Sequence, residues 1–299
     1  MTNASPAPAA PDLSALAWVA GELQRSLETA HKALRRFLKE AQAARESDVD
    51  AADPATLRAA RVQFHQSVGA LELVDLTIPA RVLRSSEAAV QRMIGKPALV
   101  TEEAVEAIER ASFAVVDYLQ RMLAGRPVTG VALFPQYREV QVLAGGDRIH
   151  PADLWGQQWR WQTLPEEPGL MPRPSDDDAR DAMERLVLAL MRRATPDSHG
   201  RMSDFCAELG AGARSGFAAT VWRLAAAFFD AQAAGLLDSD VYAKRMASRL
   251  LAQLRASVQR HDEVSERLAA DLLCFCARAH APAAGPAPRL RTVREAWGL

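Results

Sequence analysis

From Leu13 to about Glu46, apolar residues return every three or four positions: Leu16, Val19, Leu23, Leu27, Ala30, Leu34, Phe37 and Ala41. That spacing predicts one amphipathic helix of roughly eight turns, with its apolar positions on one side. Gly21 within it costs about 1 kcal/mol relative to alanine, which a helix this long absorbs. Such a stripe must be covered, and the rest of the chain offers helices to do it. Alanine, leucine and arginine dominate and β-branched runs are scarce, a composition that favours helix almost throughout.

Three further helices follow closely. Pro54 at a first-turn position, with Asp53 as N-cap, opens a second helix that turns Leu57, Phe64, Val68 and Leu71 inward. A third runs from about Pro79 to Gly95 with Val82, Leu83, Ala89, Val90 and Met93 on its buried side. Thr101, followed by Glu103 and Ala104, caps a fourth that reaches Leu123 and stops at Gly125. Its expected core stripe is Val105, Ile108, Phe113, Val116 and Leu119. Four helices joined by short turns predict an up-and-down bundle over residues 13–126.

Residues 127–175 break the pattern. Pro127, Pro135, Pro151, Pro165, Pro168, Pro172 and Pro174 forbid long helices, so this stretch is expected as a connector with short helices at Gln136–Ala144 and Pro151–Trp155. Trp155, Trp159 and Trp161 are expected to fasten it to a neighbouring domain rather than to receive a partner. Ser175 then reads as an N-cap before helices at about 177–194, 202–211, 217–235, 239–259 and 262–280. A short last helix spans Leu290–Trp297. Residues 176–299 thus form a second helical domain, and the chain as a whole is all-α.

Composition narrows the function. A formal net charge of −1 gives no global field to draw in nucleic acid. Lys32, Arg35, Arg36 and Lys39, flanked by Glu28 and Glu40, read as the solvated side of the first helix. Cys206, Cys274 and Cys276 are too few for a disulfide framework and fit buried thiols of a cytoplasmic protein. The Ala/Pro-rich residues 1–12 read as a disordered tail without a signal peptide. No apolar run is long enough to insert in a membrane.

His65 and Gly69, in the run RVQFHQSVGALELV, carry the one chemical suggestion. A phosphotransfer histidine must stand on the solvent side of a helix, and a glycine one turn later keeps a docking partner's approach open. On a helical projection His65 shares a strip with Arg58, Val62, Gly69 and Glu72, at the edge of the buried strip of Phe64, Val68 and Leu71. Val68 stands where a phosphotransfer helix has a lysine, whose charge would help hold the phosphate. Valine supplies none, and neither Gln66 nor Arg61 restores the arrangement. The residues therefore favour a retained structural or docking role for His65, Gln66, Gly69 and Glu72. Phosphoacceptance by His65 is the alternative.

Other chemistry finds no set of residues. The six histidines are scattered, Cys274 and Cys276 point apart on a helix, and Asp176, Asp177 and Asp178 diverge by about 100° per residue, so no metal site is expected. There is no G-x-G-x-x-G, G-x-x-x-x-G-K-[ST] or G-x-S-x-G, and no cofactor is implied.

The stretch FHQSVGALELVDL with the following RVLRSSEAAVQRM resembles the N-terminal Hpt-like (histidine-phosphotransfer-like), FimL-like region of the CheA-type hybrid histidine kinases of type IV pilus chemosensory systems. The segment ALFPQYREVQVLAGGDRIHPADLW resembles that family's connector. AAFFDAQAAGLLDSDVYAKRMASRLLAQL, continued by SERLAADLLCFCARA, resembles its second helical domain. The resemblance implies an Hpt-like four-helix bundle plus a second helical bundle. It implies a non-catalytic scaffold in the two-component control of twitching motility, without the ATP-binding domain of a kinase. Its partners would be response regulators or other pilus chemosensory proteins and a polar landmark protein, with recruitment to the cell pole. Val68 is the departure from the phosphotransfer pattern, and it places scaffold ahead of phosphorelay.

Overall fold

The computed structural model describes residues 13–47, 53–147, 149–156, 160–260, 264–280 and 285–299. The expected tail at 1–12, together with Trp159 and His261, lies outside the described residues. Among the described residues every regular element is helical: eleven α-helices, three short 3-10 turns and no strand. The chain divides into two compact units, residues 1–156 and 157–299.

In the first unit, α1 (Leu13–Ser47) packs against α2 (Ala55–Leu73) and α4 (Glu102–Leu123), and α3 (Thr77–Gly95) lies against both α2 and α4. Leu23, Leu34, Phe37, Phe64, Leu83 and Ile108 are among the side chains sealed in the centre. Each contributes about 1.5–3 kcal/mol by leaving water. Thr101 caps α4 as its sequence predicts, its hydroxyl accepting the Ala104 N–H at 3.2 Å. The Asp53 carboxylate accepts the Ala55 N–H at 2.9 Å, so α2 starts just beyond Pro54.

Two expectations change here. Phe113, expected in the α4 core stripe, is 61% exposed, and Val116 is only half-buried. The inward positions are Ile108, Ala111, Val115 and Leu119, with Ser112 beside them. Small side chains at 111 and 112 sit at the buried contact, and the Phe113 ring lies at its margin, edge-on to His31 at 5.5 Å. Arg35 is also more than a solvated base. It reaches from α1 to α4, donating to both carboxylate oxygens of Glu109 at 2.8 and 2.6 Å and to Glu102 at 3.2 Å. Those bonds raise the Arg35 guanidinium above its ordinary range and hold the Glu109 carboxyl below its own. Lys32, Arg36 and Lys39 remain exposed.

Residues 127–175, expected as a connector, are shared between the units. A fifth helix, α5 (Phe134–Ala144), lays Tyr137 and Val140 against α3 and α4, and a 3-10 turn at Pro151–Leu154 buries Leu154. These belong to the first unit. Residues 160–174 run as a non-helical strap over the second.

The second unit is built around α8 (Gly216–Ala233), which is apolar on nearly every side. Trp222, Leu224, Phe228 and Phe229 are all buried, a pattern a helix tolerates only when neighbours surround it. The surrounding helices are α7 (Pro196–Gly212), α10 (Glu266–Arg278) and α11 (Pro288–Trp297). On the outside α6 (Asp177–Arg192) rests on α7 and on α9 (Val241–Arg260). Asp176 rather than Ser175 caps α6, accepting the Ala179 N–H at 2.8 Å. The start of α7 lies at Pro196, not near 202. Thr195 and Ser198 form a reciprocal capping box, with bonds of 3.1 and 2.8 Å, ahead of a polar first turn that shows no apolar periodicity.

The strap is laced down by bonds from the helices. Trp297 donates to the Arg160 carbonyl at 3.1 Å, Thr220 to Gln162 at 3.0 Å, and Arg223 to Leu164 at 2.5 Å. The Arg173 N–H donates to the Glu208 carbonyl at 3.0 Å. Gly212 is required where the strap crosses α7, because a Cβ there would stand 2.1 Å from the Arg173 carbonyl oxygen. Trp161 fastens the same segment, its ring 4.6 Å from Phe217 and its N–H on Glu266 at 3.0 Å.

Candidate functional site

The outer face of α2 is held against α3 by three polar pairs in antiparallel order. Arg61 donates to Gln91 at 2.5 Å, His65 meets Glu87 at 3.1 Å, and Glu72 pairs with Arg84. The core residues Phe64, Ser67, Val68 and Leu71 fix the helix's rotation, and so decide which side chains look outward.

His65 is the most prominent of these, its side chain 74% exposed. An ionised carboxylate only accepts hydrogen bonds, so the 3.1 Å contact with Glu87 Oε1 is a hydrogen bond when Nδ1 of His65 carries the proton. With Nδ1 turned to Glu87, Nε2 is the ring nitrogen left toward solvent or a partner. Glu87 is well placed to hold this orientation, with its own side chain only 19% exposed.

Gln66 and Glu72 are exposed on the same side, and a Cβ added at Gly69 would meet nothing within 4 Å. Val62 and Leu73 extend this face with apolar surface, at 44% and 89% exposure. Val68 faces the other way at 4% exposure, so the position of the missing lysine is committed to the core. The structure therefore brings His65, Gln66, Gly69 and Glu72 together on one open surface. Sequence reasoning did not include Glu87 or Arg84. The signal that could have found them is the polar row Arg84, Glu87, Gln91 on α3, spaced to face a matching row on α2.

The remaining titratable groups read as structural. Cys206, Cys274 and Cys276 are buried and unbonded to one another. Burial pushes the Cys206 thiol far up and the Cys276 thiol up to about 12, which leaves both unreactive near neutral pH. His31 is buried between α1 and α4, among the described residues its Nε2 has no hydrogen-bond partner, and burial lowers its pKa. Asp176 is spent on a cap and Asp177 on Arg180. Among the described residues no group of three metal-ligating side chains converges, and no helix is long and apolar enough to cross a membrane.

A match to a known family falls in the second unit. Residues 171–299 match the family model for the FimL scaffold protein second domain. That span begins inside the strap and takes in α6 to α11, so the FimL-like region coincides with the helices packed around α8. No curated protein and no solved structure matches the chain.

Proposed function

We propose that this chain is a non-catalytic scaffold and interaction module of type IV pilus chemosensory signalling. The observation that carries the reading is the match of residues 171–299 to the second domain of the FimL scaffold protein. The first unit supplies a docking face rather than a reaction centre. His65, Gln66, Gly69 and Glu72 present an open surface, while Val68 is buried where phosphotransfer would use a cation. Its partners are response regulators of the pathway and a landmark protein at the cell pole. The test is replacement of His65 by glutamine in the full chain, which keeps a polar side chain on the docking face but has no phosphoacceptor nitrogen, with partner capture and twitching as readouts. Both should stay close to wild type, and loss of twitching in a normally folded variant would overturn the scaffold reading.

A second reading rests on the His65–Glu87 contact: a phosphorelay domain in which Nε2 of His65 accepts a phosphoryl group. Incubation with a cognate kinase and ATP should then give an acid-labile label that His65→Gln abolishes. Absence of label, under conditions that charge a neighbouring phosphotransfer domain, would rule it out.

A further inference from the structure

A cavity of about 280 Å³ lies beneath the strap in the second unit. Its floor is helical, with Ala207 of α7, Ala226 of α8 and Val293 of α11; its roof is the strap, with Leu164 and Leu170. The floor positions on α7 and α8 are both alanines, and the volume approaches the roughly 300–1,000 Å³ of small-molecule sites.

Two guanidinium groups line the cavity, and they differ in what they have left to give. Arg289 is occupied: it forks onto both carboxylate oxygens of Glu167 at 2.8 Å and donates to Asp204 at 2.7 Å and to Ser203 at 2.8 Å. Arg223 makes a single bond, to the Leu164 carbonyl, and among the described residues no carboxylate pairs with it. A guanidinium carries five N–H donors, so most of those on Arg223 remain unspent at the edge of an apolar space. Glu167 is neutralised by Arg289, and the other acid of the lining, Glu166, is exposed. The guanidinium of the lining that is left without a carboxylate is thus that of Arg223, itself half-buried.

We propose that this cavity binds a small apolar carboxylate. Its hydrocarbon part would lie against Ala207, Ala226 and Leu170, and its carboxylate would take the open donors of Arg223. A planar fork matched to two carboxylate oxygens gives the site its selectivity over a neutral molecule of the same shape. Because α7, α8, α11 and the strap all meet at the cavity, the ligand would clamp the strap onto the FimL-like region.

The test is titration of the full chain with octanoate and, in parallel, with the neutral octanol, followed by calorimetry and by the methyl NMR signals of Ala207 and Ala226. Octanoate should bind saturably and at least about tenfold more tightly than octanol, a difference of one charge-assisted pair. Arg223→Gln should bring octanoate down to the level of octanol, and Arg223→Lys should fall between. Ala226→Leu fills the floor without touching Arg223 and should abolish binding of both probes. Ala207→Val serves the same purpose if Ala226→Leu does not fold. No saturable binding up to on the order of 10 mM would overturn the proposal. So would equal affinity for the two probes, or binding that survives a filled floor in a folded variant.

Discussion

Replacing Val68 by lysine restores in composition the cation that a phosphotransfer helix carries, and so asks what position 68 does in this chain. Val68 is 4% exposed and packs with Phe64 and Leu71 in the first unit's core. Losing that burial costs about 1.5–2 kcal/mol, and ordering a lysine side chain costs up to about 2 kcal/mol more. The aliphatic stem recovers part of this by lying along the helix while the ammonium escapes toward water. The net expectation is a loss of about 2–4 kcal/mol in the stability of the first unit. Val68→Ala, which removes two methyl groups and leaves a small cavity, should cost about 2 kcal/mol. The assay is hydrogen exchange of α2 and α3 amides in the full chain across a urea series. With a urea slope of about 1–3 kcal/mol/M, Val68→Lys should lower the midpoint by at least about 0.7 M. A lysine variant within about 0.5 kcal/mol of wild type would show that position 68 is open to solvent, and the assignment of faces on α2 would be wrong.

Two glycines should respond oppositely to alanine. Gly69→Ala meets open space inside a helix and should stabilise the first unit by about 0.5–1 kcal/mol, whereas Gly212→Ala drives a methyl into the Arg173 backbone and should destabilise the second by about 1–3 kcal/mol. Differential melting of the two variants checks both signs, and a neutral Gly212→Ala would mean that the strap is not seated on α7. His31 should make the first unit acid-sensitive. Burial lowers its folded pKa below the ordinary value of 6.5, against weaker opposing pulls from Glu109 and Glu28. The unfolded chain therefore binds the proton more readily, and stability is lost as pH falls from the unfolded value toward the lower folded one. Between about pH 7.5 and 5.5, His31→Met should flatten the dependence of α1 exchange on pH, and an unchanged slope would refute this role.

The helices were largely legible because each announces itself locally. The stripe from Leu16 to Phe37, the cap at Thr101 and the breaks at the prolines all act within a few residues of where they stand. What local pattern could not resolve was rotation and partnership. Phe113, Val115 and Val116 are apolar neighbours on α4, and only the contact with α1 decides that Val115 enters the core while Phe113 stays out. The first turn of α7 is polar, so periodicity begins late, although its capping box was written in Thr195 and Ser198. His65, Gly69 and Glu72 could be placed on one strip from helical spacing alone, with Gln66 about 100° round from His65. Glu87, 22 residues away from His65, could not be joined to them before α2 and α3 were paired.

By itself, then, the sequence determined an all-helical chain, the buried faces of α1, α2 and α3, and a glycine one turn from a histidine. It also marked position 68 as valine. Tertiary structure decided what those features mean. Packing turned Glu87 toward His65, and it carried residues 160–174 of the proline-rich stretch onto α7, α8 and α11 with a cavity beneath them. The division is physical: helix formation and capping depend on interactions within about four residues, whereas exposure, charge pairing and empty volume exist only between segments brought together by burial.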